Sequence, residues 1–172
     1  DRQLNWILPR VTFHHQLGAN WDGGIGFTYY TSSNPSDPSK TVALVVPELR
    51  PHEELNYRQK VGKLTISHRY KLEERFVRKN ANNRLEPGYT FTFRARYQLQ
   101  LQYPLIKKET AKGTLNLKVA DEILLNFGHT IVRNTFDQNR LYAALNYGLS
   151  KSIQLEAGYM NYFQERSTGD QY

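Results

Sequence analysis

The sequence predicts an all-β fold, an antiparallel up-and-down transmembrane β-barrel, and three observations lead to this prediction. Apolar and polar residues alternate with a period of two through most of the chain, as in YTFTFRARYQLQLQYPL at 89–105. Most of the alternating segments are longer than the ~5–6 residues that are usual for strands of soluble domains. Short and long connections between these segments alternate along the chain, which is typical of outer-membrane barrels.

Eight strands are predicted in this chain, and each is bounded by turn-forming residues. They lie at 4–17, 20–32, 48–61, 63–79, 89–105, 114–127, 136–149 and 152–166. The connections GAN, VGK and GLSKS are short and favour tight turns. The alternate connections, TSSNPSDPSK, RKNANNRLEPG and GHTIVRN, are long and polar, and IKKETAKGT is intermediate. The apolar TVALVV at 41–46 lies inside a loop region, and we expect it either to extend a hairpin above the membrane or to contact a partner.

The order of short and long connections also predicts where the two ends of the eight strands lie. Both ends fall on the side of the long loops, whereas bacterial barrels usually keep their termini on the periplasmic side. We therefore expect residues 1–172 to form a single outer-membrane β-barrel domain that lacks one strand at each end. The parent barrel is then expected to have ten or more strands.

The composition limits the class of protein. The chain has no cysteine, which excludes disulfides and thiolate metal sites, and its formal net charge is +7. The mean hydropathy is -0.68, and no apolar run approaches the ~20 residues of a transmembrane helix. A transmembrane strand needs only ~9–11 residues, half of which can be polar. The low hydropathy is therefore compatible with a membrane barrel.

One face of the predicted strands carries charges of both signs in the middle of the strands. Unpaired buried charge costs several kcal/mol, so charges that line a narrow lumen must pair. We predict a lumen ion-pair network of Glu54, Arg58, Arg69, Lys71, Glu73, Arg75, Arg94, Arg96, Glu122, Arg140 and Glu156.

The opposite face carries aliphatic and aromatic residues and is predicted to face lipid. Its predicted lipid-facing residues include Phe91, Phe93, Tyr97, Leu99, Leu101, Leu145, Tyr147, Leu155 and Tyr159. His68 and Asp121 break this pattern and are expected near an interface or a bulge. The alternative is a soluble β-sandwich or lipocalin-like barrel, in which the same apolar face would be the core.

Four stretches carry a resemblance to a known family: HRYKLEERFVRK, YTFTFRARYQLQLQYPL, VADEILLNFG and FDQNRLYAALNYGLSKSIQLEAGYMNYFQ. They resemble an uncharacterised family of small bacterial outer-membrane β-barrel proteins, domain of unknown function 2490. The resemblance covers most of residues 48–166. It implies a location in the bacterial outer membrane and supplies no activity, ligand or catalytic residue.

The sequence shows no arrangement of residues that indicates catalysis or a cofactor. Ser67 and His68 are adjacent on a strand and point to opposite faces, as do His14 and His15, so neither pair forms a dyad or a chelate. We expect no enzyme, no cofactor, no metal and no nucleic-acid partner. The predicted role is a structural or accessory subunit of an envelope complex, in contact with outer-membrane lipid and other outer-membrane proteins. A narrow transport pore and an outer-membrane lipid-modifying enzyme stay open as alternatives.

Overall fold

The structure of the chain, a computed structural model, describes residues 6–34, 44–108, 110–128 and 135–164. The strands are β1 Trp6–Ile7, β2 Arg10–Gln16, β3 Trp21–Asn34, β4 Leu44–Val61, β5 Leu64–Ala81, β6 Arg84–Ile106, β7 Leu115–Phe127, β8 Phe136–Gly148 and β9 Gln154–Gln164. No helix in these ranges has the length and apolar character needed to cross a membrane.

The strands form one antiparallel sheet in which each strand from β3 to β9 pairs with its neighbours in sequence. Both β1 and β2 pair with β3, so they act as one strand that is interrupted at Leu8 and Pro9. Proline has no N–H to donate to the ladder, which explains the interruption. The predicted fold class, eight antiparallel up-and-down strands, is therefore confirmed. Among the described residues the sheet is not closed, and its shape is compatible with a barrel.

One connection differs from the sequence prediction. The segment RKNANNRLEPG was expected to form a long loop, and this expectation was wrong. Strand β5 continues to Ala81 and β6 starts at Arg84, which leaves a two-residue turn at Asn82 and Asn83. Both residues have positive φ, 51° and 60°, and asparagine tolerates this conformation in tight hairpins.

The apolar segment at 41–46 extends a hairpin in part, which was one of the two roles expected of it. Strand β4 begins at Leu44, so the last three residues of TVALVV belong to a strand and not to a loop. Residues 31–34 of the same connection belong to β3, whereas residues 35–43 and most of GHTIVRN lie outside the described residues.

The two sides of the sheet have opposite chemical character. Residues in direct register share a side, because side chains alternate along each strand. We call the side with Glu54, Lys71 and Arg96 the polar face, and the side with Leu55, Tyr70 and Tyr97 the apolar face. Among the described residues, the buried apolar side chains are Val46, Ala120, Leu124 and Ala144, and more of the buried side chains are polar or charged. The polar face is thus the interior of this fold.

Gly26 allows strands β2 and β4 to make contact across β3. A Cβ atom at this position would lie 2.4 Å from the Val11 carbonyl oxygen and 2.6 Å from His52 Nε2. The space is used by a hydrogen bond between Thr12 Oγ1 and His52 Nε2 at 3.1 Å. A side chain at residue 26 would therefore displace both the backbone of β2 and the His52 ring.

We predict that Gly26→Ala lowers the free energy of unfolding by about 1–3 kcal/mol, because the added methyl group overpacks the interior. The matched control is Gly18→Ala in the first turn, where a Cβ would meet no atom within 4 Å. Denaturant unfolding followed by tryptophan fluorescence measures both. Equal stability of the two variants would contradict this description of Gly26.

Candidate functional site: the polar face

The polar face buries carboxylates almost completely. Glu73, Glu48 and Glu122 are 1%, 3% and 4% exposed, whereas Phe13 and Tyr159 on the apolar face are 72% and 71% exposed. Soluble proteins show the reverse preference, because Glu and Arg are almost never fully buried unless they are paired. The geometry of the charged side chains therefore decides whether this interior is stable.

Glu122 on β7 is the centre of the largest cluster. Its carboxylate accepts hydrogen bonds from Arg69 Nη2 at 2.8 Å and from Arg96 Nη2 at 2.8 and 2.9 Å. Arg140 Nη1 lies 3.6 Å away on β8. Arg96 also donates through Nη1 to Glu73 Oε1 at 2.9 Å. This cluster connects β5, β6, β7 and β8.

A second cluster lies near the start of β4. The Glu48 carboxylate accepts two hydrogen bonds from Arg50, at 2.6 and 2.8 Å, and two from Arg75, at 2.5 and 3.1 Å. The Arg50 guanidinium also lies 4.2 Å from the centre of the Tyr30 ring. Bidentate arginine–carboxylate pairs of this kind are among the stronger ionic contacts in proteins.

A β-bulge brings one further carboxylate to the polar face. The register between β7 and β8 shifts at Leu124 and Leu125, which leaves Asp137 as an extra residue. Asp137 and its neighbour Gln138 are consequently both buried, at 7% exposure each. The Asp137 carboxylate lies 2.8 Å from Arg94 Nη2, two strands away.

The remaining predicted residues lie around these clusters. Lys71 donates to Glu54 at 3.1 Å. Lys118 pairs with Glu156, which also accepts a hydrogen bond from Tyr142 at 2.8 Å. Arg58 lies on the polar face, but no described carboxylate is within ion-pair distance of it.

Three residues of the clusters were not included in the sequence prediction: Glu48, Arg50 and Asp137. A signal was present for the first two, since the alternation that places Glu54 on the polar face continues back to them. No comparable signal existed for Asp137. Strict alternation from Arg140 would place it on the apolar face, and only the bulge turns it inward.

Several contacts connect strands that are not neighbours. Arg69 reaches Glu122 over β6, and Arg94 reaches Asp137 over β7. Strands two apart in a sheet are separated by roughly 9–10 Å. These contacts are those expected of a sheet that curls toward its polar face.

The nine predicted lipid-facing residues all lie on the apolar face, and most of them are exposed. Ionisable side chains interrupt this face at several positions, among them His15, Glu53, His68, Glu74, Arg78 and Asp121. His68 Nδ1 lies 2.9 Å from the Tyr97 hydroxyl, and Asp121 accepts a hydrogen bond from Asn139 at 2.6 Å.

The border of the apolar face runs obliquely across the strands. At the end of the sheet that holds the short turns GAN and GLSKS, the first apolar side chain of β3 is Trp21, which is in register with Leu99 of β6. The first apolar side chain of β9 at this end is Leu155, which is in register with Ile106. The border therefore moves by about one residue per strand. With ~3.3 Å per residue and ~4.8 Å between strands, this corresponds to a tilt of roughly 35°.

The described residues contain no group of three or more His, Asp or Glu side chains that could hold a metal ion. Ser67 is in register with Gln100 on the polar face, and His68 is in register with Leu99 on the apolar face. These two neighbours are therefore on opposite sides of the sheet.

We predict that Glu122→Gln lowers the free energy of unfolding by about 3–5 kcal/mol, because it leaves buried arginines without their carboxylate. The matched control is Asp121→Asn, the same loss of charge at the adjacent residue on the exposed apolar face. Its effect should stay below about 1 kcal/mol. Denaturant unfolding of both variants in one medium is the measurement. A Glu122→Gln protein as stable as the control would show that the cluster does not hold the strands together.

Comparisons with known proteins identify a family and no closer relative. A search of curated proteins and a search of solved structures each gave no significant match. One family model, described as "Protein of unknown function (DUF2490)", matches residues 1–172. The match covers the full length of the sequence, including all four stretches on which the resemblance rested. The chain therefore belongs to the family of proteins of unknown function DUF2490.

Proposed function

We propose that this protein is an integral β-barrel of the bacterial outer membrane with a polar, ion-paired lumen. Its role is that of a structural or accessory subunit of the envelope. The observation that carries the proposal is the inverted burial of the sheet, with carboxylates such as Glu73 and Glu122 buried and large apolar side chains exposed.

In water, this arrangement is unfavourable on both faces. Exposed apolar area costs roughly 25 cal/mol per Å², and burial of charges adds a desolvation cost. In a membrane, the apolar face meets hydrocarbon, and the charges are paired inside. The oblique border supports this, because transmembrane strands tilt by ~35–45° and a bilayer then cuts obliquely across the strand register.

The ion pairs favour a structural role over a wide channel. Arginine and glutamate side chains from β4 to β8 meet above the polar face and fill space that a water-filled passage would need. Barrels of about eight strands are filled by side chains, and open channels have ~16–18 strands. A narrow pore is the second candidate, and the polar cavity discussed below favours it.

The open edges of the sheet support the proposal of a closed barrel in the membrane. Within the described residues, β9 pairs only with β8, and β2 pairs only with β3. Unpaired N–H and C=O groups are not tolerated in hydrocarbon. In a membrane these edges must therefore pair, either with each other or with other strands.

The proposal is tested by folding the purified chain in the presence and absence of phosphatidylcholine vesicles. We expect monomeric β-structure and protection from trypsin only with lipid, because only lipid can cover the apolar face. A chain that folds to a stable monomer in plain buffer would contradict the proposal.

Substitutions at two adjacent residues, one on each face, test which face of the sheet contacts lipid. Leu101 lies between Ile66 and Val119 on the apolar face, and Gln102 lies on the polar face. Leu101→Arg should weaken folding into vesicles by about 2–4 kcal/mol if it lies near the bilayer midplane. Gln102→Arg serves as the control and should cost less than about 1 kcal/mol.

A further inference from the structure

A polar cavity of about 520 Å³ lies on the polar face next to the ion-pair clusters. Its size is within the range of small-molecule sites, ~300–1,000 Å³. Six of the side chains that line it come from two adjacent register rows of β4, β5 and β6. The rows are Asn56, Arg69 and Gln98, and Arg58, Ser67 and Gln100.

The hydrogen-bond donors of this cavity are largely unused. Within the described part of the chain, the side chains of Arg58, Ser67, Gln98 and Gln100 have no hydrogen-bond partner. Arg69 donates to Glu122 through Nη2, but its Nε is buried and has no partner either. Among these donors Arg69 Nε is the buried one, and buried polar atoms in proteins normally have a partner, which can be water or a ligand.

The carboxylates near the cavity, in contrast, already accept hydrogen bonds. Asp22 Oδ1 accepts a hydrogen bond from Asn56 at 2.9 Å and lies 3.1 Å from His14 Nδ1. Glu122 is held by its arginines. The cavity therefore offers a guanidinium, a second guanidinium N–H, two amides and a hydroxyl, and among the described residues its one lining carboxylate, Asp22, is held through Oδ1 by Asn56.

We infer that this cavity binds a small organic anion. Its phosphate or carboxylate group lies between Arg58 and Arg69, because guanidinium groups match these oxyanions in geometry and charge. Gln98 and Gln100 hold its hydroxyl groups, since amides both donate and accept. The inference rests on the proposed function in one respect: it names the class of solute that enters the proposed lumen.

The test is isothermal titration of the detergent-solubilised protein with glucose 6-phosphate, inorganic phosphate and glucose. We expect saturable binding of the two anions and at least tenfold weaker binding of glucose. Arg58→Gln should weaken binding of glucose 6-phosphate at least tenfold. The matched control, Arg84→Gln beside the Asn82 turn, should leave it unchanged.

Gln100→Leu provides a second variant that keeps every charge. It should weaken binding of glucose 6-phosphate more than that of inorganic phosphate, because only the sugar has hydroxyl groups to lose contacts. The inference is overturned if the wild type binds neither anion, if glucose binds as tightly as its phosphate, or if Arg58→Gln binds like the wild type. A wild-type protein that folds into vesicles but binds neither anion would overturn this inference alone, whereas failure of the wild type to fold into vesicles concerns the proposed function.

Discussion

The fold depends on the pairing of buried charges. A carboxylate such as Glu73, at 1% exposure, is tolerable only because arginines of neighbouring strands surround it, and each arginine in turn needs a carboxylate. The contacts of Glu122 show the consequence, since this side chain connects its own strand, β7, to three others through Arg69, Arg96 and Arg140. The polar face is therefore a cross-strand network and not a collection of independent pairs.

This network also constrains the other face. A sheet has two sides, and when one side is filled by ion pairs, the apolar side chains have only the outer side available. The register fixes this arrangement, because a shift of one residue would exchange the two sets of side chains completely. The paired interior and the exposed apolar exterior are thus two results of one alternation.

Much of this arrangement could be predicted from the sequence, and the rest could not for identifiable reasons. The period of two placed Arg94, Arg96 and Glu122 on one side and Tyr97 and Leu101 on the other. The position of Asp137 on the polar face was not predicted, because a β-bulge interrupts the alternation there.

The Asn82–Asn83 turn was missed for a different reason. A polar, Asn-rich segment resembles a loop until the positive φ angles show it to be a tight turn. The pairing of specific charges also required the structure, since Arg69 and Glu122 are 53 residues apart.

The most direct test of the inverted sheet is a spin-label scan of residues 91–102 on β6 in vesicles. The chain has no cysteine, so each introduced cysteine carries the only label. We expect collisions with lipid-dissolved oxygen to peak at every odd position, and those with a water-soluble nickel complex to be low there. Higher nickel accessibility at the odd positions than at the even ones would contradict the account, because it would place the apolar face in water.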